Sequence, residues 1–170
     1  MAKAEFTDAI ALLKADHRKV EELFEQFEKA TTANRKQKLA HEICTELKIH
    51  TMIEEELFYP AFRGKIDGDT LDEAYVEHDG AKVLVNDIEA GSPEDDFYDA
   101  KVKVLSEEVK HHVKEEERGS DGMFAQCRKT DVDLVALRDA LMARKKELMA
   151  QAKAQGLPAA KPNAVNLMPA

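Results

Sequence analysis

Apolar residues recur at the helical period along almost the whole chain. Ile10, Leu13, Val20, Phe24 and Phe27 share one face of a helix that Thr7-Asp8 is placed to start. A second stripe, Leu39, Ile43, Leu47 and Leu57, begins near Ala33 to Arg35, and Pro60 is expected to end or kink that helix. Gly64 to Asp69 reads as a loop, with Asp69 able to cap a third helix through Leu71, Tyr75, Val85 and Ile88 to Gly91. Ser92-Pro93-Glu94-Asp95 joins a capping serine, a proline suited to the first helical position and an acid three residues after the cap. A fourth helix is expected from there to about Arg118, where Gly119 and Gly122 break it. Thr130-Asp131-Val132-Asp133 opens a fifth, carrying Leu134, Leu137, Leu141 and Leu148. No strand-like alternation competes with these patterns.

Four long helices of roughly 23 to 27 residues joined by short loops predict an all-α fold, an antiparallel up-down four-helix bundle with an additional C-terminal helix. The extra helix is expected to cover an end or a side. One domain is expected over residues 1–154, its core at about 8–125 and the extra helix at about 131–153. After Gln155, Gly156, Pro158, Pro162 and Pro169 alternate with alanines. Residues 155–170 therefore read as a flexible Pro/Ala-rich tail that stays loose or docks peripherally.

A chain of 170 residues suits one buried core. With 25 basic against 34 acidic residues it has no basic stripe to neutralise phosphates, so no nucleic-acid partner is expected. The longest apolar run near the start, Ala9 to Leu13, is too short to span a bilayer and has no cleavage signal, so neither a membrane partner nor a signal peptide is expected. Cys44 and Cys127 lie outside any Cys-x-x-Cys pattern and read as free thiols of a cytoplasmic protein.

The chemistry lies in a repeat. Glu46-Leu47-Lys48-Ile49-His50-Thr51-Met52-Ile53-Glu54-Glu55 is echoed by Glu108-Val109-Lys110-His111-His112-Val113-Lys114-Glu115-Glu116-Glu117. A lone histidine precedes each copy, His17 by 33 residues and His78 by 34, within the matching pairs Asp16-His17 and Glu77-His78. Residues at i and i+4 share a helical face, so His50 with Glu54 and His112 with Glu116 can each reach a common point. Ile43 and Leu47 lead to His50 on the apolar side, and Leu105 and Val109 do so for His112.

A single core histidine is ordinarily a hydrogen-bonded packing residue. Six polar groups in two matching sets are another matter, since buried glutamates are rare unless paired or ligating. His17, His50, Glu54, His78, His112 and Glu116 are therefore the candidate metal ligands. Imidazole and carboxylate without thiolate suit iron or manganese, with zinc as a substitute. His41, half a turn out of phase, reads as solvent-facing, and His111 lies one residue off the repeat. Glu46 and Glu108 are candidates for orienting the ligand imidazoles, with a solvated helical acid as the plainer reading. Arg144-Lys145-Lys146 reads as a solvated face.

These residues resemble the hemerythrin family, in the branch named for its His-His-Glu cation-binding domain. The resemblance spans about residues 8–125. It rests on Leu13-Lys14-Ala15-Asp16-His17, on His50 through Pro60, on Glu77-His78, and on His112 through Glu117. It implies a four-helix bundle whose six candidate residues bind two non-haem irons bridged by an oxo or hydroxo group. The family's reversible oxygen carriers use a fifth histidine one turn before the position of His78, where this chain has Ala74, and an aspartate on the fourth helix where it keeps Glu116. The set is closer to the bacterial hemerythrin-like and iron-centre repair proteins, although the latter carry a cysteine-bearing N-terminal domain that this sequence lacks. Ferritin-like di-iron bundles use Glu-x-x-His twice, and only Glu108 to His111 fits here.

The function expected is that of a cytoplasmic di-iron protein that binds or reacts with dioxygen, nitric oxide or peroxide, in sensing or protection. The alternatives are an enzyme acting on peroxide or nitric oxide, and iron storage or delivery for iron-centre repair.

Overall fold

The computed structural model describes residues 5–167, and every described regular element is helical. The first four residues of the expected domain and the last three of the expected tail lie outside the described residues. Helix α1 spans Ala9–Lys29, α2 Ala33–Ile53, α3 Tyr59–Phe62, α4 Gly68–Ala90, α5 Tyr98–Glu117, α6 Met123–Arg128 and α7 Leu134–Gln155. Asp8 caps α1 by accepting from the Ala11 N–H, and Thr32 caps α2 by accepting from that of Arg35. Neighbour contacts of α1 with α2, α2 with α4, α4 with α5, and α5 with α1 close the four long helices into the expected bundle. None of the described helices is long and apolar enough to cross a membrane.

Helix α7, capped by Asp133, lies along one side of the bundle against α1 and α2. Its Leu141 and Leu148 are buried there beside Ile10, Ile49 and Ile53. Helix α2 thus has neighbours on both faces, and every residue from Glu46 to Thr51 is buried. The apolar interior forms two clusters. One gathers the start of α1, the end of α2, α6 and α7, and the other the end of α1, the start of α2, and parts of α4 and α5. The histidine layer lies between them.

Three local expectations need correction. Pro60 neither ends nor simply kinks the second helix, because the chain continues through a π-helical turn, Glu54–Phe58, into α3. Proline lacks an N–H and its ring collides with the carbonyl four residues back, which opens the turn just before it. Asp67 rather than Asp69 caps α4. The fourth long helix starts at Tyr98 and not at Ser92-Pro93. Ser92 does accept from the Glu94 N–H, and its own N–H donates to Asp95, but these bonds close a single turn. The chain then redirects at Phe97, whose φ of 67° is left-handed, and the helix starts beyond it.

Residues 160–165, beyond Gln155, dock peripherally. Asn86 of α4 bonds both backbone groups of Ala160, and Asp79 accepts from the N–H groups of Asn163, Ala164 and Val165.

Candidate metal centre

Four helices deliver one donor set each to a single level of the bundle: His17 from α1, His50 and Glu54 from α2 and its π-turn, His78 from α4, and His112 and Glu116 from α5. All six are buried. The Nε2 atoms of His17 and His50 are 3.1 Å apart, and those of His78 and His112 are also 3.1 Å apart. Glu54 spans the two pairs with one oxygen, its Oε2 lying 3.3 Å from His50 Nε2 and 3.2 Å from His78 Nε2. Glu116 spans them with two, Oε2 at 3.2 Å from His17 Nε2 and Oε1 at 3.4 Å from His112 Nε2. Two groups close enough to hold a cation result: His17, His50, Glu54 and Glu116, and Glu54, His78 and His112. All six sequence candidates are brought together. His41 and His111 are exposed, as their register requires.

The donor set fits a cation. Glu54 is fully buried, and its Oε1 has no hydrogen-bond partner among the described residues. A buried carboxylate oxygen facing no donor is costly, and a cation between the two glutamates would remove the cost. Every imidazole also turns Nε2 inward because its Nδ1 is tied to a carboxylate outside. His17 pairs with Glu117 at 2.7 Å, His50 with Asp16 at 3.4 Å, His78 with Glu55 at 3.0 Å and His112 with Glu77 at 2.5 Å. Such contacts fix the ring orientation that metal ligation needs.

Three of these four acids are themselves held by a lysine or arginine side chain. Arg18 bonds Glu117 at 2.9 Å and Lys82 bonds Glu55 at 2.7 Å. Lys145 of α7 bonds Asp16, which corrects the reading of that basic stretch as a solvated face; its neighbour Arg144 likewise pairs with Glu56. Glu46 and Glu108 do not orient the imidazoles. Glu46 is bonded to Lys19 at 2.5 Å, and Glu108 is exposed. The acids that do the orienting were signalled by Asp16-His17, Glu77-His78 and the two Glu-Glu doublets.

The two halves differ in their aromatic cover. Phe124 stacks on His17, with ring centroids 5.8 Å apart and an interplanar angle of 9°. On the other side the Tyr59 hydroxyl lies 3.0 Å from Glu116 Oε1, 3.1 Å from His78 Nε2, 3.2 Å from Glu54 Oε2 and 3.5 Å from His112 Nε2. The π-turn accounts for its aim. The Tyr59 N–H bonds the Glu54 carbonyl, five residues back, so both side chains share a face.

Without a metal, the site carries charge as ion pairs. Burial pulls the His17 imidazole down, but the Glu116 and Glu117 carboxylates outweigh it and hold it at about 9. His78 is raised and His112 raised well above its ordinary value, against burial, by Glu54 and Glu55 and by Glu116 and Glu77 respectively. Burial pushes the Glu116 carboxyl up, yet His112 and His17 hold it well below the usual range. Tyr59 is pushed well above the usual phenol value by burial and by Glu116 and Glu54, so its hydroxyl keeps its proton.

A solved hemerythrin HHE cation-binding domain-containing protein from Mycobacterium kansasii superposes with a TM-score of 0.73 over 89% of this chain and 96% of that one, at 22% identity. A curated DNA nickase from Nostoc sp. is 33% identical over 107 residues, which are 62% of this chain but only 30% of that protein. The family profile described as Hemerythrin HHE cation binding domain matches residues 8–120. That match takes in all six buried donors and well over half of the sequence, and the chain belongs to the hemerythrin HHE cation-binding domain family.

Proposed function

We propose that the centre holds two iron ions, one on His17 and His50 and the other on His78 and His112, with Glu54 and Glu116 between them. In this reading the protein binds or reacts with dioxygen, nitric oxide or peroxide, in sensing or protection. The observation that carries it is Glu54, fully buried, with Oε2 shared between His50 and His78 and Oε1 lacking a hydrogen-bond partner among the described residues. Bound iron would supply Lewis-acidic, redox-active positions, with about four protein donors each and room for a small ligand. The chain's own residues do the rest. The outer carboxylates hold each imidazole with Nε2 inward, and Val20, Leu47, Val85 and Val109 keep water scarce around the donors. A reducing, cytoplasmic setting belongs to the reading and is supported by Cys44 and Cys127 as separate, buried thiols.

The test is an anaerobic metal count on protein expressed with ample iron, with an optical spectrum before and after oxygen. Two irons per chain and a spectrum that responds to oxygen are expected. A count near zero or one overturns the reading.

Tyr59 favours a second reading, turnover of peroxide or nitric oxide. Its protonated hydroxyl lies against His78 and Glu116, where it could pass a proton to a small oxygen-bearing substrate. Catalytic rather than stoichiometric consumption of peroxide, slowed by Tyr59→Phe, would establish it.

A further inference from the structure

Inside the bundle, a cavity of about 40 Å³ opens onto all four imidazoles. Apolar residues such as Val85 and Val109 on the four long helices line it together with charged ones, among them Lys48, Lys82 and Glu108. One lining residue, Ala160, belongs to none of those helices. It sits in the C-terminal segment, beyond the stretch that defines the family.

That segment is pinned in an ordered way. The Asn86 side-chain amide donates to the Ala160 carbonyl at 2.8 Å and accepts from the Ala160 N–H at 2.8 Å. Three successive N–H groups then converge on the Asp79 carboxylate: Asn163 at 2.9 Å from Oδ1, Ala164 at 2.6 Å and Val165 at 2.7 Å from Oδ2. Asp79 and Asn86 lie seven residues apart on one face of α4, so the segment runs antiparallel along that helix. The Asn163 side chain reaches across to Glu55 at 2.5 Å, on the π-turn that follows α2. The segment thus bridges the seam between α2 and α4.

The nature of the attachment matters. Val165 and Leu167 remain exposed, so apolar burial contributes little between 160 and 167, and the docking rests on hydrogen bonds to α4 and Glu55. Such contacts close a surface yet can open locally without unfolding the bundle.

We propose that residues 160–165 form a strap that gates the cavity, so that a small neutral molecule reaches the centre when the strap leaves Asp79 and Asn86. The proposal rests on the di-metal reading for what the cavity serves, but not for the closure itself, and the test separates the two. Full-length Asn86→Ala/Asp79→Asn protein and a chain ending at Ala159 are compared with the intact chain at matched helicity and melting behaviour. In metal-free protein, diethyl pyrocarbonate modification of His17, His50, His78 and His112 is followed by mass spectrometry, with exposed His41 as internal reference. Loss of the strap should speed modification of the four buried histidines by about tenfold or more and leave His41 unchanged. In iron-loaded protein, nitric oxide should associate faster by a similar factor at equal iron content. Equal modification rates in the folded variants overturn the strap, as do equal nitric oxide rates. Failure of every form to take up metal sinks the di-iron reading and leaves the modification rates to decide on the strap. If the shortened chain does not fold, the full-length double variant decides alone.

Discussion

Nδ1 of His17, on α1, lies 2.7 Å from Oε1 of Glu117, the last residue of α5 and the one after the candidate ligand Glu116. The relationship repeats in the other half, where Nδ1 of His78 lies 3.0 Å from Glu55, the residue after Glu54. The second glutamate of each doublet therefore holds the lone histidine of the opposite repeat. His50 and His112 are held from within their own repeats, by Asp16 and Glu77. The duplication in the sequence thus becomes a cross-braced pair of half-sites, each incomplete without the other.

Glu117→Ala should weaken metal binding by about 10- to 100-fold, because it frees the His17 ring and leaves the ligand count intact. Glu108→Ala, at an exposed position, should leave affinity unchanged. Competition against a chelator of known affinity measures both. Equal losses would show that the Nδ1 contact does not orient the ring.

Protons and metal compete for the site. His17 rests at about 9 in the folded, metal-free chain against an ordinary 6.5, burial opposing the shift and Glu116 and Glu117 driving it. A raised imidazole contributes its stability in full below 6.5 and loses it as pH rises through about 9. Metal ligation needs the neutral ring, so affinity should strengthen over that same window and binding at pH 7 should release protons. Calorimetry in two buffers of different ionisation heat measures the release. No net release at pH 7 would mean that the imidazoles are already neutral before metal arrives.

The part of the centre legible in the sequence was the part that single helices encode. Spacing of i to i+4 on an apolar face put His50 with Glu54 and His112 with Glu116, and the repeat separated His112 from His111. The orienting carboxylates were not legible in the same way, because contacts such as His17 with Glu117 depend on how α1 and α5 assemble. Glu46 and Glu108 matched in both repeats yet face elsewhere, so repetition alone could not settle their role. Tyr59 escaped because its aim depends on the extra residue in the π-turn, which shifts the register that an α-helical reading assumes. At Ser92 the start signal was real but local, and one left-handed residue, Phe97, moved the helix start. The docking of the tail could not be read from periodicity, since backbone N–H groups provide much of it.

Helix α7 should behave as part of the same folding unit. Leu141 is fully buried in a cluster with Ile10 and Ile53, and Leu141→Ala should cost about 2–5 kcal/mol through lost contacts and the cavity left behind. Met149, on the exposed side of α7, should tolerate alanine within about 0.5 kcal/mol. Denaturant unfolding of both variants provides the comparison. If the Leu141 change were as mild as the Met149 change, α7 would be an appendage to the bundle and not part of its core.

The last prediction concerns oxygen. Ala74 is buried one turn before His78, where a methyl group offers no donor, and the Tyr59 hydroxyl lies 3.1 Å from His78 Nε2. The family's reversible carriers have histidine at that position. In the proposed di-iron centre, fewer neutral donors and two anionic glutamates would favour the ferric state, since negative ligand charge stabilises the higher oxidation state. Iron-loaded protein prepared in the ferrous state should therefore be oxidised by air and stay oxidised when the air is removed. The check is an optical spectrum recorded before exposure, after it, and again after deoxygenation without reductant. Return of the starting spectrum would mean reversible carriage, and the missing histidine would not then decide how this centre treats oxygen.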